Sequence, residues 1–510
     1  MSEPFDVVVA GCGPAGAVCA SLLGRLGVRT LAVERARAIY DKPRAFALDH
    51  EVMRVFQNLG IAAAVAPHTA PFTPSEYYGV DGTLIKRLGA IAPPYPMGWT
   101  PSLVFNQPAV EGELRRLTAG LPGVELALGT RLLAFAQSDA GVTVQLEDDG
   151  GRIRELSARY LVGCDGASST VRRLLGVEQE DLGFDEPWLV VDVLVNDAGA
   201  AKLPTVSAQY CEPARPCTYL IGPGAHRRWE IMLLPGEDPR AMEDEQQIWR
   251  LLQRWISPAD ARLWRAASYR FHALVARTWR AGRIFIAGDA AHQQPPFTGQ
   301  GMCQGIRDVA NLAWKLQRVL SGRAHDRILD TYETERGAHV RRLTGVIKNI
   351  GRLICERDPA AARARDARLL AEAGGKVRTV PRQNLIPPLE GGFLDPRPHP
   401  ANGTLFPQPR VRHEEGTVLL DDVAGDGFRL VVRGQGDGRV CAPPTHFLRS
   451  LDARVVCIAP AEEADGVLER WFERHACVAA LVRPDHYVFG VADTDHAVEG
   501  LLENAIGMLQ

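Results

Sequence analysis
The chain has 510 residues, 46% of them hydrophobic and 23% charged, with a formal net charge of −3. This is a composition for a large soluble core shared among a few domains, and it gives no support to a nucleic-acid or anionic-membrane partner. No apolar run approaches the ~18 residues that span a bilayer, and the ten cysteines form no CxxC pair, so a cytoplasmic protein with reduced thiols and no metal site is expected.

The first informative stretch runs from Phe5 to Arg35. Phe5–Ala10 is a short apolar run suited to a buried parallel strand. Gly11, Gly13 and Gly16 then make GxGxxG, Pro14 to Leu26 suits a helix stopped by Gly27, and Arg29–Val33 reads as a second strand followed by Glu34. Each part has a physical role in holding an adenine dinucleotide. Gly11 permits the tight turn, Gly13 lets a pyrophosphate approach the backbone, and Gly16 lets helix and sheet pack closely. The free N–H groups and positive end of the helix face the phosphates, and Glu34 can accept from a ribose diol. This motif alone does not choose between FAD and NAD.

From Arg44, RAFALDHEVMRVFQNLG reads as a helix burying Leu48, Val52, Val55, Phe56 and Leu59 and ended by Gly60. Arg44 can clamp a phosphate or simply start a helix in solvent. Between Pro67 and Thr100 prolines cluster, and the chain is expected to leave the nucleotide-binding sheet. Gln107 stands ahead of a helix, Ala109–Leu117, and can reach a cofactor or merely cap. Strands are expected at Val124–Leu128, Leu132–Gln137 and Val142–Glu147. Tyr160–Gly176 reads as strand, Asp165-Gly166 turn, and helix from Ser168 or Ser169.

Trp188–Leu234 alternates like a separate antiparallel sheet, which can wall a substrate pocket or act as a structural lid; Glu243–Trp255 is helical. Arg283–Ala287 is a strand with Gly288 and Asp289 at its C-terminal end, where ligands sit in open α/β sheets. Pro295-Pro296 makes a stiff loop suited to lie against a flat ring. Gly299-Gln300-Gly301 exposes backbone N–H groups and Met302 continues into a long helix, an arrangement that stabilises negative charge.

Taken together, GCGPAG with Glu34-Arg35, Asp165-Gly166, and GDAAHQQPPFTGQGMCQGIRDVANLAWKL resemble the single-component FAD-dependent aromatic hydroxylases of the para-hydroxybenzoate and phenol hydroxylase group. PRAFALDHE, FNQPAVEGELRR and YCEPARPCTYLIG…RRWEIMLLPGED look closest to 3-(3-hydroxyphenyl)propionate hydroxylases. The resemblance covers about residues 3–350. It implies that Gly11, Gly13, Pro14, Ala15 and Gly16 cradle the pyrophosphate of non-covalent FAD, and that Glu34 and Arg35 hold the adenosine side. Arg44 and Gln107 would meet the phosphates and ribityl chain, and Asp165 would serve FAD and the pyridine nucleotide. Gly288 and Asp289 would hold the ribityl hydroxyls, Pro296 would lie at the reactive face, and Gly299, Gln300, Gly301 and Met302 at the pyrimidine end. NADH or NADPH would reduce the flavin, O2 would give a C4a-hydroperoxide, and a small phenol would be hydroxylated. Related enzymes that oxidise polyketide or heteroaromatic substrates remain the alternative. Only one GxGxxG stands in proper context, so a second nucleotide domain is not expected.

Phe46 stands where phenol hydroxylases often carry an aspartate, which removes the expected base. His50 can replace it or be a half-exposed helix histidine; Tyr219 can bond a phenol or simply pack.

The expected architecture is therefore α/β: a Rossmann-like FAD-binding domain of glutathione-reductase type (1–75, 101–180 and 275–355) with an inserted antiparallel-sheet substrate domain (76–100 and 181–274). A helical linker, 356–390, follows. The last unit, 391–510, contains strands at GTVLLDD, FRLVVRG and ARVVCIA, helix VLERWFERH and a closing hairpin, and it resembles a thioredoxin-like domain lacking CxxC. GQGDG at Gly434–Gly438 reads as a loop. A homodimer is compatible with these features.

Overall fold
The computed structural model describes residues 4–414, 416–434 and 445–510. Most of GQGDG, from 435 onward, lies outside them.

Strand β1, Phe5–Ala10, carries three valines and an alanine in its buried C-terminal part, and helix α1, Pro14–Arg25, follows the glycine turn. Pro14 at the helix start suits a position whose N–H has no helical partner. Strand β2, Thr30–Glu34, then returns parallel to β1. The parallel core of this sheet reads, across its width, Ile284–Ile286, Ile153–Gly163, β1, β2 and Val124–Leu128. A hairpin of Thr130–Ser138 and Gly141–Asp148 extends it. The first strand thus lies inside the sheet, with α1 and the long helix Gly301–Leu320 packed against one another on its face.

The helix expected from Arg44 begins instead at His50. Ala47–Asp49 is a short strand paired with Ser102–Phe105, and Asp49 caps helix α2, His50–Asn58, by accepting from the Val52 N–H at 3.1 Å. Leu48, Val52, Val55, Phe56 and Leu59 are nevertheless all buried. The apolar spacing marks buried positions but not the point where strand becomes helix. The helix after Phe105 is longer than expected, Gln107–Gly120, and the helical segment after Glu243 is a short helix, Glu245–Leu252.

A second sheet has nine strands. Its centre is formed by Ala261–Ala276, Gln179–Val195, His226–Met232, Cys217–Ile221 and Ser207–Tyr210, each antiparallel to the next in this order. Ser75–Tyr78 joins parallel to Ser207–Tyr210, and Leu84–Gly89 follows. Thr379–Pro381, expected in a linker, adds the last strand beside Leu84–Gly89. One face carries Trp188, Met232 and Phe271 against Phe297 and the helix Ala338–Ile354. The opposite face carries Leu189, Val191 and Trp229 under Ile248 and Leu252.

The C-terminal unit has a four-stranded sheet ordered Arg454–Ile458, Arg429–Arg433, Ala479–Val482 and Val488–Ala492, the first pair parallel and the others antiparallel. Gly416–Leu419 is not part of it: it pairs with Arg410–His413 as a separate ribbon, and Leu420–Ala424 turns helical. Among the described residues no helix is long and apolar enough to cross a membrane.

Candidate active site
Four turns meet at one edge of the parallel sheet. Each leaves the C-terminal end of a neighbouring strand: Gly11 after β1, Glu34 at the end of β2, Asp165 after Ile153–Gly163, and Gly288-Asp289 after Ile284–Ile286. This is where ligands lie in open α/β sheets. The turns also touch one another. Gly11 has φ +93°, and a Cβ there would stand 2.8 Å from Asp165 Cα. Cys12 N–H donates to Glu34 Oε2 at 2.9 Å, and Ala36 N–H to Oε1 at 2.9 Å. A Cβ on Gly16 would run into the Gly11 carbonyl oxygen, so that glycine is required by close packing.

The Asp165 carboxylate accepts from Ser169 Oγ, the Thr170 N–H at 2.6 Å and the Val171 N–H at 3.1 Å. It closes the turn that starts helix Thr170–Leu174, a role the sequence pattern did not reveal. Asp289 is different. Its side chain is open, yet it lies deep in surrounding protein, whose burial raises its carboxyl pKa despite nearby His292 and Arg44. No protein donor bonds it among the described residues. Its loop is held from behind: Asp308 accepts from the Gly288 N–H at 3.0 Å, His292 Nε2 at 2.7 Å and Arg336 Nε at 3.0 Å. Asp308 went unnoticed because one acid inside an amphipathic helix looks like ordinary surface.

The long helix Gly301–Leu320 begins beside the opening glycine turn. A Cβ on Gly288 would stand 3.4 Å from Ala15 Cβ, and one on Gly305 3.3 Å from the same atom. Gln300 precedes this helix and accepts from Arg307 Nη1 at 2.8 Å, while Arg307 also pairs with Asp49 and Glu51. Gly299, with φ +66°, makes the turn. Pro296 starts the short helical turn Pro296–Thr298, anchored by Phe297 among Trp188, Phe184 and Phe271. Gly13 and Gly301 are where a Cβ would meet nothing within 4 Å, and Gly13, Pro14, Ala15, Gly299, Gln300, Gly301 and Met302 are all partly exposed. Two helix N-termini with open backbone in front of them, an unpartnered acid between them and an acid at the second strand form a donor and acceptor set that fits a dinucleotide with a pyrophosphate.

Gln107 lies on the same side. Its Oε1 accepts from the Arg44 N–H at 2.8 Å and from Ala45 N–H, and its Nε2 donates to Glu111. It therefore shapes the 44–45 backbone, while the Arg44 and Arg35 side chains extend into the open.

Two candidate catalytic residues are corrected. His50 is buried, not half-exposed, and burial together with Arg307 and Arg54 pushes its imidazole pKa down to about 4 against the pull of Asp49. It is neutral and a poor base at neutral pH. Tyr219 belongs to the face of the nine-stranded sheet turned toward Trp229, and its hydroxyl donates to the Pro204 carbonyl at 3.3 Å. It packs rather than facing the cofactor side.

The opposite face of the same strands is polar and had escaped notice. His226, Arg228 and Glu230 alternate with Trp229 and Ile231, so they share a face. Asp192 joins His226 Nε2 at 2.7 Å and Arg228 Nε at 2.7 Å; burial raises its carboxyl pKa, but Arg228 and His226 outweigh that and hold it at about 2. Arg228 also donates to the carbonyls of Pro43 at 3.1 Å and Arg44 at 3.0 Å and lies 5.0 Å from the Phe46 ring. This fastens the second sheet to the loop beside the glycine turns. The sequence signal was present in HRRWEIM, but such alternation ordinarily means solvent on the polar side.

An α/β sheet with paired glycine turns, capped by a second sheet with a polar inner wall, is the architecture of an enzyme that holds a dinucleotide cofactor beside a covered site. The family model described as FAD binding domain matches residues 4–346, and one described as HcaD C-terminal domain matches 403–504. The chain is 37% identical to a probable NADH-specific resorcinol 4-hydroxylase of Rhodococcus jostii (strain RHA1), over 99% of this chain and 95% of that protein. It is 36% identical to a 3-(3-hydroxy-phenyl)propionate/3-hydroxycinnamic acid hydroxylase of Mycobacterium sp. (strain JLS), over 97% and 90%. In fold it is similar to the flavin-dependent monooxygenase PieE in complex with FAD and substrate (TM-score 0.83, 22% identity, 100% and 99% covered). It is likewise similar to aklavinone-11 hydroxylase with FAD and aklavinone (TM-score 0.79, 24% identity, 99% and 100% covered). The chain belongs to the FAD-dependent aromatic hydroxylases, with FAD as cofactor and a nicotinamide nucleotide as reductant.

Proposed function
We propose that this enzyme hydroxylates a small phenol of the resorcinol or 3-hydroxyphenyl type with NADH as reductant. The relatives that match along nearly the whole chain act, by name, on such rings; the larger polyketide substrates belong to proteins that share the fold alone. The single observation that carries the reading is the meeting of the two glycine turns, through Ala15, Gly288 and Gly305, beneath a polar wall.

When bound, FAD accepts hydride from the nicotinamide and supplies the activated oxygen transferred to the ring. Every other role falls to the chain. Gly11, Gly13 and Gly16 admit the pyrophosphate to the start of α1, and Glu34 accepts from the adenosine ribose. Gln107 and Arg44 line the ribityl and phosphate side, and Asp289 accepts from the ribityl hydroxyls. The first N–H groups of Gly301–Leu320 stabilise negative charge at the pyrimidine end. Pro296 offers a rigid surface to the ring, held by Phe297. Trp188, Phe271 and Phe297 exclude water from the reacting side, which suppresses loss of peroxide. The first sheet forms the FAD-binding domain, the nine-stranded sheet the substrate domain, and the unit beyond about residue 391 a thioredoxin-like domain without a redox pair.

The test is a panel of phenols assayed for NADH oxidation, peroxide release and product. A cognate phenol accelerates oxidation without raising peroxide. Acceleration matched by equal peroxide for every phenol would count against this substrate class.

A further inference from the structure
Glu230 lies on His226–Met232 between Thr218 and Val190 of the flanking strands. Two residues before it on the same face, Arg228 reaches the Pro43 and Arg44 carbonyls. Two residues after it, Met232 joins the apolar cluster of Trp188 and Phe297. Glu230 therefore points into the gap between the 43–46 loop and the Pro296–Thr298 turn, opposite the place proposed above for the reacting ring.

Its bonding is unlike that of its neighbours. Asp192 is satisfied by His226 and Arg228, with Arg265 also within 3.5 Å, and Thr218 Oγ1 donates to Gln209 Oε1 at 2.6 Å. Glu230 is 4% exposed yet makes no hydrogen bond or ion pair among the described residues. Its oxygens keep access to space, unlike sealed unpartnered atoms such as His50 Nδ1 and Asn106 Oδ1. A buried carboxyl left open in this way has its acceptor capacity reserved for something that enters.

Resting on the phenol hydroxylase reading, we infer that Glu230 is the acceptor for the substrate's phenolic hydroxyl and takes its proton during hydroxylation. Burial pushes its carboxyl pKa up to about 7 against the Arg228 charge, with Asp192 adding to the rise, which suits an acid–base group at neutral pH. In the step, the phenol O–H bond breaks, its electron pair stays on oxygen and feeds the ring, and the proton moves to the Glu230 carboxylate. NADH supplies two electrons to O2, one of whose oxygen atoms bonds to the ring as hydroxyl while the other leaves at the oxidation level of water. Re-aromatisation then releases the ring C–H proton, which that leaving oxygen takes up to complete water, and the proton on Glu230 returns to the substrate oxygen. The role that an aspartate at position 46 would fill thus passes from the loop, where Phe46 stands, to the sheet.

The experiment uses the FAD-loaded enzyme, with 3-(3-hydroxyphenyl)propionate, resorcinol and their methyl ethers as probes. Glu230→Gln is expected to lower kcat for hydroxylation at least ~10-fold while keeping FAD and the thermal midpoint. Wild type is expected to bind the phenol at least ~10-fold more tightly than its methyl ether, read from perturbation of the flavin absorbance, and Glu230→Leu to bind both alike. Unchanged hydroxylation in Glu230→Gln, or wild-type discrimination kept in Glu230→Leu, overturns the assignment alone. A wild-type enzyme that neither binds nor hydroxylates any phenol overturns the assignment and the substrate class together.

Discussion

Glu335 and Arg483, far apart in the chain, meet at 2.6 Å with both side chains fully buried. Lys315 pairs with the same carboxylate at 3.0 Å, and Asp485 with the same guanidinium at 2.6 Å. Together with the buried Arg54–Asp421 pair, this network joins the flavin-binding region to the C-terminal unit. Removing one member leaves a buried charge without compensation, which costs about 3–5 kcal/mol. Arg483→Ala is therefore expected to lower the free energy of unfolding by about that much, measured by chemical unfolding with FAD present.

The same pair sets an acid limit. Burial raises the Glu335 carboxyl pKa, but Arg483 and Lys315 outweigh it and hold the group at about 2. Its folded value lies below the unfolded value of about 4.3. The stability it contributes is present above that unfolded value and is lost as pH falls through the interval from about 4 to 2. Denaturation midpoints should drop across this window in wild type and drop less steeply in Glu335→Gln.

The two glycines of the first turn should separate binding from folding. Gly13 is extended, with φ −71°, and a Cβ there meets nothing, so Gly13→Ala should keep its thermal midpoint but lose FAD on gel filtration. Gly16→Ala must displace the Gly11 backbone and should lower the midpoint whether or not FAD is supplied.

Asp289 makes no bond to the protein among the described residues, so its removal should affect the cofactor rather than the fold. Asp289→Ala is expected to weaken FAD binding by about 1.5–3 kcal/mol, the range for a hydrogen bond to a charged group, measured by titrating the apoprotein. A variant that keeps full yellow cofactor through gel filtration would remove Asp289 from the site.

Tyr219→Phe should leave hydroxylation unchanged and cost about 1 kcal/mol or less, since the hydroxyl makes one long bond to the Pro204 carbonyl. Product formation and the thermal midpoint check both.

What was legible in the sequence is what local chemistry dictates. Phe5–Ala10, Val124–Leu128 and the helix Val467–His475 occur with the expected bounds, because apolar period and glycine punctuation determine them locally. Ala47–Asp49 was missed because three residues carry no period, and its pairing with Ser102–Phe105 is non-local. Thr379–Pro381 was hidden in the same way by a strand nearly three hundred residues earlier. The polar wall of Asp192, Arg228 and Glu230 was missed for a different reason. Alternation shows which residues share a face, but only tertiary packing shows whether that face meets water or a buried cavity.

The most direct test is the fate of oxygen. Incubation of the FAD-loaded enzyme with NADH, a cognate phenol and isotopically labelled O2 should give a hydroxylated phenol carrying one labelled oxygen atom for each NADH consumed. NADH oxidation that yields only peroxide, or a product whose new oxygen comes from water, would contradict the assignment.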